Sequence, residues 1–210
     1  MKKMIFFGDS ITDAGWNRNA TLGTLSRYGY GYVNHIAGEL LIDDANVEII
    51  NSGISGNRIV DLYARIKSDV WNHQPDILSI LIGVNDIWHE IADKNGVEID
   101  RFEKVYRTLL NDTLKVLPNV KIILLEPFVL KGTATESDFD AFLAVKDYAK
   151  IVKRLAEEYH LSFLPLQNKF EMSAAKISAQ HYLADGVHPS VAGAKLIAKE
   201  WLALYNKELK

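Results

Sequence analysis

Short apolar runs alternate along the chain with longer stretches in which apolar residues recur every three or four positions. Met4–Phe7 is unbroken and apolar and stops at Gly8; Val47–Ile50, Ile77–Ile82 and Ile122–Leu125 repeat the pattern. Runs of this length, rich in Ile, Val and Phe, predict strands, and the nearly continuous Ile77–Ile82 predicts one covered on both faces. Ser162–Leu166 predicts a fifth strand, ended or interrupted at Pro165. Between these runs the spacing is helical. Tyr32–Leu41 carries Val33, Ile36, Ala37, Leu40 and Leu41, and Ile59–Val70 carries Leu62, Ile66 and Val70 on one face. Asp100–Leu117 opens with Asp100 and Glu103 spaced as a capping box. Ser137 predicts the cap of a long helix containing Val145, Tyr148, Val152, Leu155 and Tyr159, and Ser190 that of a closing helix with Ile197, Trp201 and Tyr205. Strands that alternate with helices predict an α/β layer fold with a parallel sheet. No repeat, linker or low-complexity segment divides residues 1–210, which read as a single domain.

The polar punctuation is as informative as the runs. Gly8-Asp9-Ser10, Asn51–Asn57 and Gly83-Val84-Asn85-Asp86 follow the first three strands, so in a parallel sheet all three leave the same edge, where ligands bind. A fourth polar stretch, Asp185-Gly186-Val187-His188-Pro189, precedes the closing helix. Thr12–Tyr32 is a glycine-punctuated loop of a length usually reserved for function or disorder.

Composition narrows the classes. A chain of 210 residues, 48% of them hydrophobic, can bury a core without staples. It has no cysteine, which excludes disulfides, thiolate zinc sites and a cysteine nucleophile. Net charge is −3 with both signs mixed and no dense basic patch, so nucleic acid is not an expected partner. Met1-Lys2-Lys3 starts like a signal peptide, but its apolar stretch ends after Phe7, and no run approaches the ~20 apolar residues of a membrane span. The expectation is a soluble, cytoplasmic protein without membrane contact. Tyr28, Tyr30 and Tyr32 are candidates for a subunit interface or for the mouth of a site, which leaves a homo-oligomer open.

Ser10, just past a strand end, can present its hydroxyl to a small molecule, given a base and an oxyanion site from elsewhere. Gly-Asp-Ser alone equally describes a turn or an N-cap. His188 is the best base of the six histidines. Asp185, three residues earlier with Gly186 between, can return to one ring nitrogen and leave the other free to accept a proton. Pro189 disfavours a helical conformation at His188. A polar turn before an N-cap, or a metal pair, fits the same residues, although no compact third ligand is evident. Gly56 can bring a backbone N–H close to a substrate oxygen, and Asn85 carries two N–H donors on a short side chain. Both also favour left-handed turns. A phosphate cradle after the second strand lacks the Lys-Ser/Thr and the GxGxxG that would support it.

Together the four blocks resemble the SGNH hydrolases, also called the GDSL esterase/lipase family. Its Gly-Asp-Ser, Asn-x-Gly-x-Ser-Gly-Asn, Gly-x-Asn-Asp and Asp-x-x-His-Pro all occur here, and the resemblance spans residues 5 to about 205. It implies Ser10 as nucleophile, His188 as base and Asp185 as its orienter. Gly56, Asn85 and the Ser10 amide would form the oxyanion hole. It also implies a three-layer, flavodoxin-like fold with a five-stranded parallel sheet. The mechanism these residues offer needs no metal or other cofactor. The G-x-S-x-G of the unrelated α/β-hydrolases is absent.

Within the family, Gly8–Asp13, Asn51–Asn57, Ile82–Trp88 and Val187–Gly193 look most like bacterial carbohydrate acetyl esterases, including intracellular acetylxylan esterases. The substrate implied is a small acylated molecule, a sugar ester, with Trp88 able to line a sugar or acyl site. A lysophospholipase or thioesterase would use the same machinery. A non-catalytic carbohydrate-binding protein would be expected to have lost Ser10, Asn85 or His188. Asn17, Arg18 and Asn19 make the loop after Ser10 polar, and no long apolar lid is evident.

Overall fold

The five apolar runs are the strands of one sheet. In the computed structural model, which describes residues 1–210, they are β1 (Lys2–Gly8), β2 (Val47–Gly53), β3 (Ile77–Leu81), β4 (Lys121–Leu125) and β5 (Ser162–Leu164). Every neighbouring pair is parallel, in the spatial order β2-β1-β3-β4-β5. This is the flavodoxin-like doubly wound order, with its switch point between β1 and β3. Gly8 pairs with Gly53 on one side and Leu81 on the other, so β1, β2 and β3 end level with one another.

The longer helices lie on both faces. They are α3 (Tyr32–Asp43), α4 (Ile59–Asp69), α5 (Val84–Asp93), α6 (Ile99–Val116), α8 (Val145–Glu158), α9 (Gln167–Ala174) and α11 (Val191–Glu208). Single turns make up α1 (Ser10–Asp13), α2 (Leu25–Tyr28), α7 (Phe139–Phe142) and α10 (Ala179–Tyr182). Alternation along β1 assigns the layers. Phe6 packs on Tyr32 of α3 and Trp201 of α11, with ring centroids 5.8 and 5.1 Å apart. Phe7, on the other face, meets the guanidinium of Arg65 from α4. Helices α3 and α11 pack together on the first side; α4, α6 and α8 form the second. The one polar residue in the β3 run, Ser79, is buried and accepts a hydrogen bond from Trp201 Nε1 at 3.1 Å. That bond satisfies both groups.

Several boundaries differ from the expectation. The run Val47–Ile50 continues as strand through Gly53, because Asn51 and Ser52 keep pairing with Phe6 and Phe7. The Thr12–Tyr32 stretch is partly helical, at α1 and α2. Gly83–Asp86 is not a free turn: α5 begins at Val84, and its Val84-Ile87-Ile91 spacing lay unread behind a polar head. The Asp100–Glu103 box does not form. The helix starts at Ile99, and Glu103 binds Arg107 and Arg154 instead, a stronger charge-assisted arrangement. Ser137 sits in a separate 3-10 turn, donating to Asp138, and α8 begins only at Val145. Ser190 does cap α11, accepting from Gly193 N at 3.2 Å.

Candidate active site

Ser10 stands two residues past the end of β1, as the first residue of α1. Asp9 caps that turn, its Oδ1 accepting from the Ile11 amide at 3.0 Å. The cap fixes the backbone that presents the serine at the switch point. Ser10 Oγ lies 2.9 Å from His188 Nε2, and His188 Nδ1 lies 2.7 Å from Asp185 Oδ2. The other oxygen, Asp185 Oδ1, accepts from the amides of Val187 and His188 at 2.9 and 2.8 Å. Burial pushes the Asp185 carboxyl up, but the bonds from the His188 ring and the two amides outweigh it and hold the carboxyl below its ordinary value. An ionised Asp185 keeps the ring proton on Nδ1 and leaves Nε2 to accept the proton of Ser10.

The turn that returns Asp185 to His188 is closed from outside. Gly186 has φ +101°, and a Cβ there would fall 2.5 Å from Leu130 O and 2.6 Å from Thr135 Oγ1. The loop after β4 supplies those atoms. Leu130 N donates to Gly186 O and Ala134 N to Asp185 O, each at 2.9 Å. Buried Thr135 braces the loop by donating to Leu130 O at 2.8 Å. Ala184 N donates to His188 O at 2.8 Å, and Leu183 bridges Pro189, so His188 sits in a bend ahead of α11, outside the helix as Pro189 predicts. Nothing in the sequence pattern singled out residues 130–135.

The other two blocks meet through Asn57. Gly56 has φ +81°, and an added Cβ would find only His89, at 3.9 Å. Conformation rather than room therefore calls for glycine at this position. Asn85, the second residue of α5, is buried and donates from Nδ2 to Asn57 O at 3.1 Å. That bond uses one amide hydrogen and leaves the other for a ligand oxygen. The Gly56 loop is tied back to α1, because Asp13 Oδ2 accepts from Ser55 N and Ser55 Oγ at 3.0 and 2.9 Å.

A cavity of about 250 Å³ opens in front of the serine, lined by Ser10, Ser55, His188, Tyr30 and Tyr32 among others. Of the three candidate surface tyrosines, Tyr28 and Tyr32 are buried. Tyr32 shares a hydrogen bond with Thr12 at 3.0 Å, and only Tyr30, 77% exposed, stands at the mouth. Trp88 is half-buried, its ring 5.9 Å from that of His188 and 5.7 Å from Phe142; it is beside the histidine and is not one of the residues lining this cavity. Two buried carboxyls flank the site. Burial pushes Asp9 up to about 7, against the pull of the Ile11 amide and of the His188 and Arg65 charges. Burial likewise pushes Asp86 up to about 8; the Ile59 amide opposes this and the Asp9 charge adds to it. No group of three His, Cys, Asp or Glu side chains converges to hold a metal ion, and no helix is long and apolar enough to cross a membrane.

A serine hydroxyl joined to a histidine and an aspartate at the switch point of a doubly wound sheet is a nucleophile-base-acid site, the arrangement of a serine hydrolase. The chain belongs to the GDSL-like lipase/acylhydrolase family, whose model matches residues 6–196. It is a carboxylic ester hydrolase, and its substrate is a small acylated molecule. It is 35% identical over 209 residues to an acetylxylan esterase of Geobacillus stearothermophilus, covering 96% of this chain and 92% of that one. The crystal structure of that bacterium's acetylxylan esterase Axe2 superposes with a TM-score of 0.86 at 34% identity, covering 97% and 93% of the two chains. A GDSL-like lipase from Parabacteroides merdae superposes at 0.92 with 37% identity, covering 98% and 95%. Solved structures of Axe2 include catalytic mutants at a serine, an aspartate and a histidine.

Proposed function

We propose that this protein is a serine esterase that removes O-acetyl groups from carbohydrates through an acyl-Ser10 intermediate. The observation that carries the reading is the continuous path from Ser10 Oγ to His188 to Asp185, with steps of 2.9 and 2.7 Å. Ser10 Oγ attacks the ester carbonyl carbon while its proton passes to His188 Nε2. The oxyanion that forms is received by the amides of Ser10 and Gly56 and by Asn85 Nδ2. Asp185 stabilises the imidazolium. Collapse breaks the bond to the sugar oxygen, which leaves with the proton from His188. Water then attacks the acyl carbon, giving a proton to His188. The second tetrahedral species releases acetate as Ser10 regains its proton.

The acetyl and carbohydrate assignments are supported by the similarity to an acetylxylan esterase and by the cavity itself. Polar groups of Ser55 and His188 share the cavity with Tyr30, whose exposed ring offers a flat apolar face and a hydroxyl to a sugar. The triad is indifferent to what lies beyond the carbonyl carbon, so chain-length preference reports the pocket. A closed pocket penalises a longer acyl chain by overpacking, at roughly 1–3 kcal/mol. An open tunnel would reward each with about 0.8 kcal/mol. Steady-state kcat/KM for aryl acetate, butyrate, hexanoate and octanoate, together with release of acetate from acetylated xylo-oligosaccharides, tests the reading. Acetate is expected to exceed octanoate by ~10-fold or more. A rise toward octanoate would replace this reading with a lysophospholipase or thioesterase.

A further inference from the structure

Arg65 lies on α4, outside all four blocks that carry the chemistry. Its side chain is only 14% exposed. Burying a guanidinium is costly unless its donors are matched, and here they are. Nε donates to Asn57 Oδ1 at 2.7 Å and Nη2 to Gly8 O at 2.9 Å. Nη1 donates to Ser52 O at 3.0 Å, to Ser52 Oγ at 3.2 Å and to Asp69 Oδ2 at 2.6 Å. The plane of the group lies over Phe7, 4.3 Å from the ring centroid. Asp69, one turn along α4, offsets the charge, so the fork is free to act through geometry.

The acceptors are not a random set. Gly8 is the last residue of β1, two before Ser10. Ser52 is next to last in β2 and leads into the Gly56 loop. Asn57 follows Gly56 directly, and its carbonyl receives the side-chain amide of Asn85 from beyond β3. The amides and the carboxamide assigned to the oxyanion therefore belong to three strand-end loops, and one rigid cation ties to all three. It holds the first two directly and the third through Asn57. Asp86 anchors the same helix at its start, accepting from Ile59 N at 3.0 Å.

We infer that Arg65 is a positioning residue for the oxyanion hole, which clamps the Gly8, Ser52 and Asn57 ends so that Gly56 N and Asn85 Nδ2 meet the developing charge together. The inference rests on the oxyanion assignment made above. A clamp of this kind acts in the transition state more than in substrate binding, because small displacements of preorganised donors cost rate.

The test is a double-mutant cycle on aryl acetate hydrolysis with Arg65→Ala and Asn85→Ala, with melting temperatures measured alongside. Asn85→Ala alone is expected to lower kcat by roughly 10²–10³-fold. Arg65→Ala is expected to lower it by about 10²-fold with KM little changed. In the Asn85→Ala background the same substitution should cost less than about 10-fold, because the donor it positions is gone. Guanidinium ion added to Arg65→Ala should restore part of kcat, which a general loss of folding would not allow. If Arg65→Ala does not fold, Asn57→Ala takes its place in the cycle, since it removes the acceptor of Arg65 Nε, leaves the Asn57 carbonyl on Asn85, and keeps Arg65 on Gly8, Ser52 and Asp69. Additive losses, or a loss carried by KM, would overturn the clamp. A normal kcat in Asn85→Ala would instead overturn the oxyanion assignment beneath it.

Discussion

Beside the nucleophile, Asp9 holds a carboxyl with one oxygen bonded to the Ile11 amide and the other, like Asp86 Oδ2, buried without a partner. Burial pushes Asp9 up to about 7, so much of it carries a proton near neutrality. The sign of the consequence follows from linkage. A carboxyl whose folded pKa lies above its unfolded value binds its proton more tightly when folded. Its contribution to stability is complete below the unfolded value, near ~4, and is lost as pH rises through about 7. Asp9→Asn keeps an acceptor for Ile11 and cannot ionise. Its melting temperature relative to wild type is expected to climb between pH 5 and pH 8, at about 2–4 °C for each kcal/mol. A constant difference across that range would show that Asp9 is not protonated in the folded state. At this scale the sequence was most legible where a residue's role is local. Ser10, Asp185 and His188 announce themselves by type and spacing, and the structure joins them. Arg65 reads in the sequence as one more cation on the polar side of a helix, because its acceptors outside α4, Asn57, Ser52 and Gly8, lie 8 to 57 residues away along the chain.

The element that sets the triad is the turn from Asp185 to His188, and its geometry is imposed by the loop after β4. Gly186, at φ +101° and with Leu130 O only 2.5 Å from where a Cβ would sit, can accept a side chain only if one of the two loops moves. Gly186→Ala is expected to lower kcat by about 10²-fold through misplacement of His188, with a modest change in KM. Gly23→Ala is the control. Its φ of +84° carries similar strain, but no atom lies within 4 Å and it does not line the cavity before Ser10, so kcat should stay near wild type. Equal effects from the two would mean that strain, not the seating of the triad, is being read. The five strands and five of the seven longer helices were visible as periodicity; α5 and α9 were not. The bracing loop at residues 130–135 was not, since it works through backbone carbonyls and amides that leave no residue-type signature. Helix α5 was missed for a related reason: Asn85 and Asp86 in its first turn are polar, and their chemistry masked the apolar Val84-Ile87-Ile91 spacing around them.

For the molecule as a whole, the strand order brings together residues separated by most of the chain. Ser10 and His188 are 178 residues apart, yet their side chains share a hydrogen bond at the β1/β3 switch point. The level ends of β1, β2 and β3 put the first three blocks at one edge, and α11 delivers the fourth. Alternating strands and helices foretold the layered sheet. The cavity wall could not be foretold, because burial of Tyr28 and Tyr32 and exposure of Tyr30 depend on how the loop between α1 and α3 packs. Everything in this arrangement converges on one hydroxyl. The kcat of Ser10→Ala for aryl acetate, measured on protein that melts with the wild type, is expected to fall by about 10⁴-fold or more; retention of more than a tenth of wild-type kcat would contradict acyl transfer through Ser10.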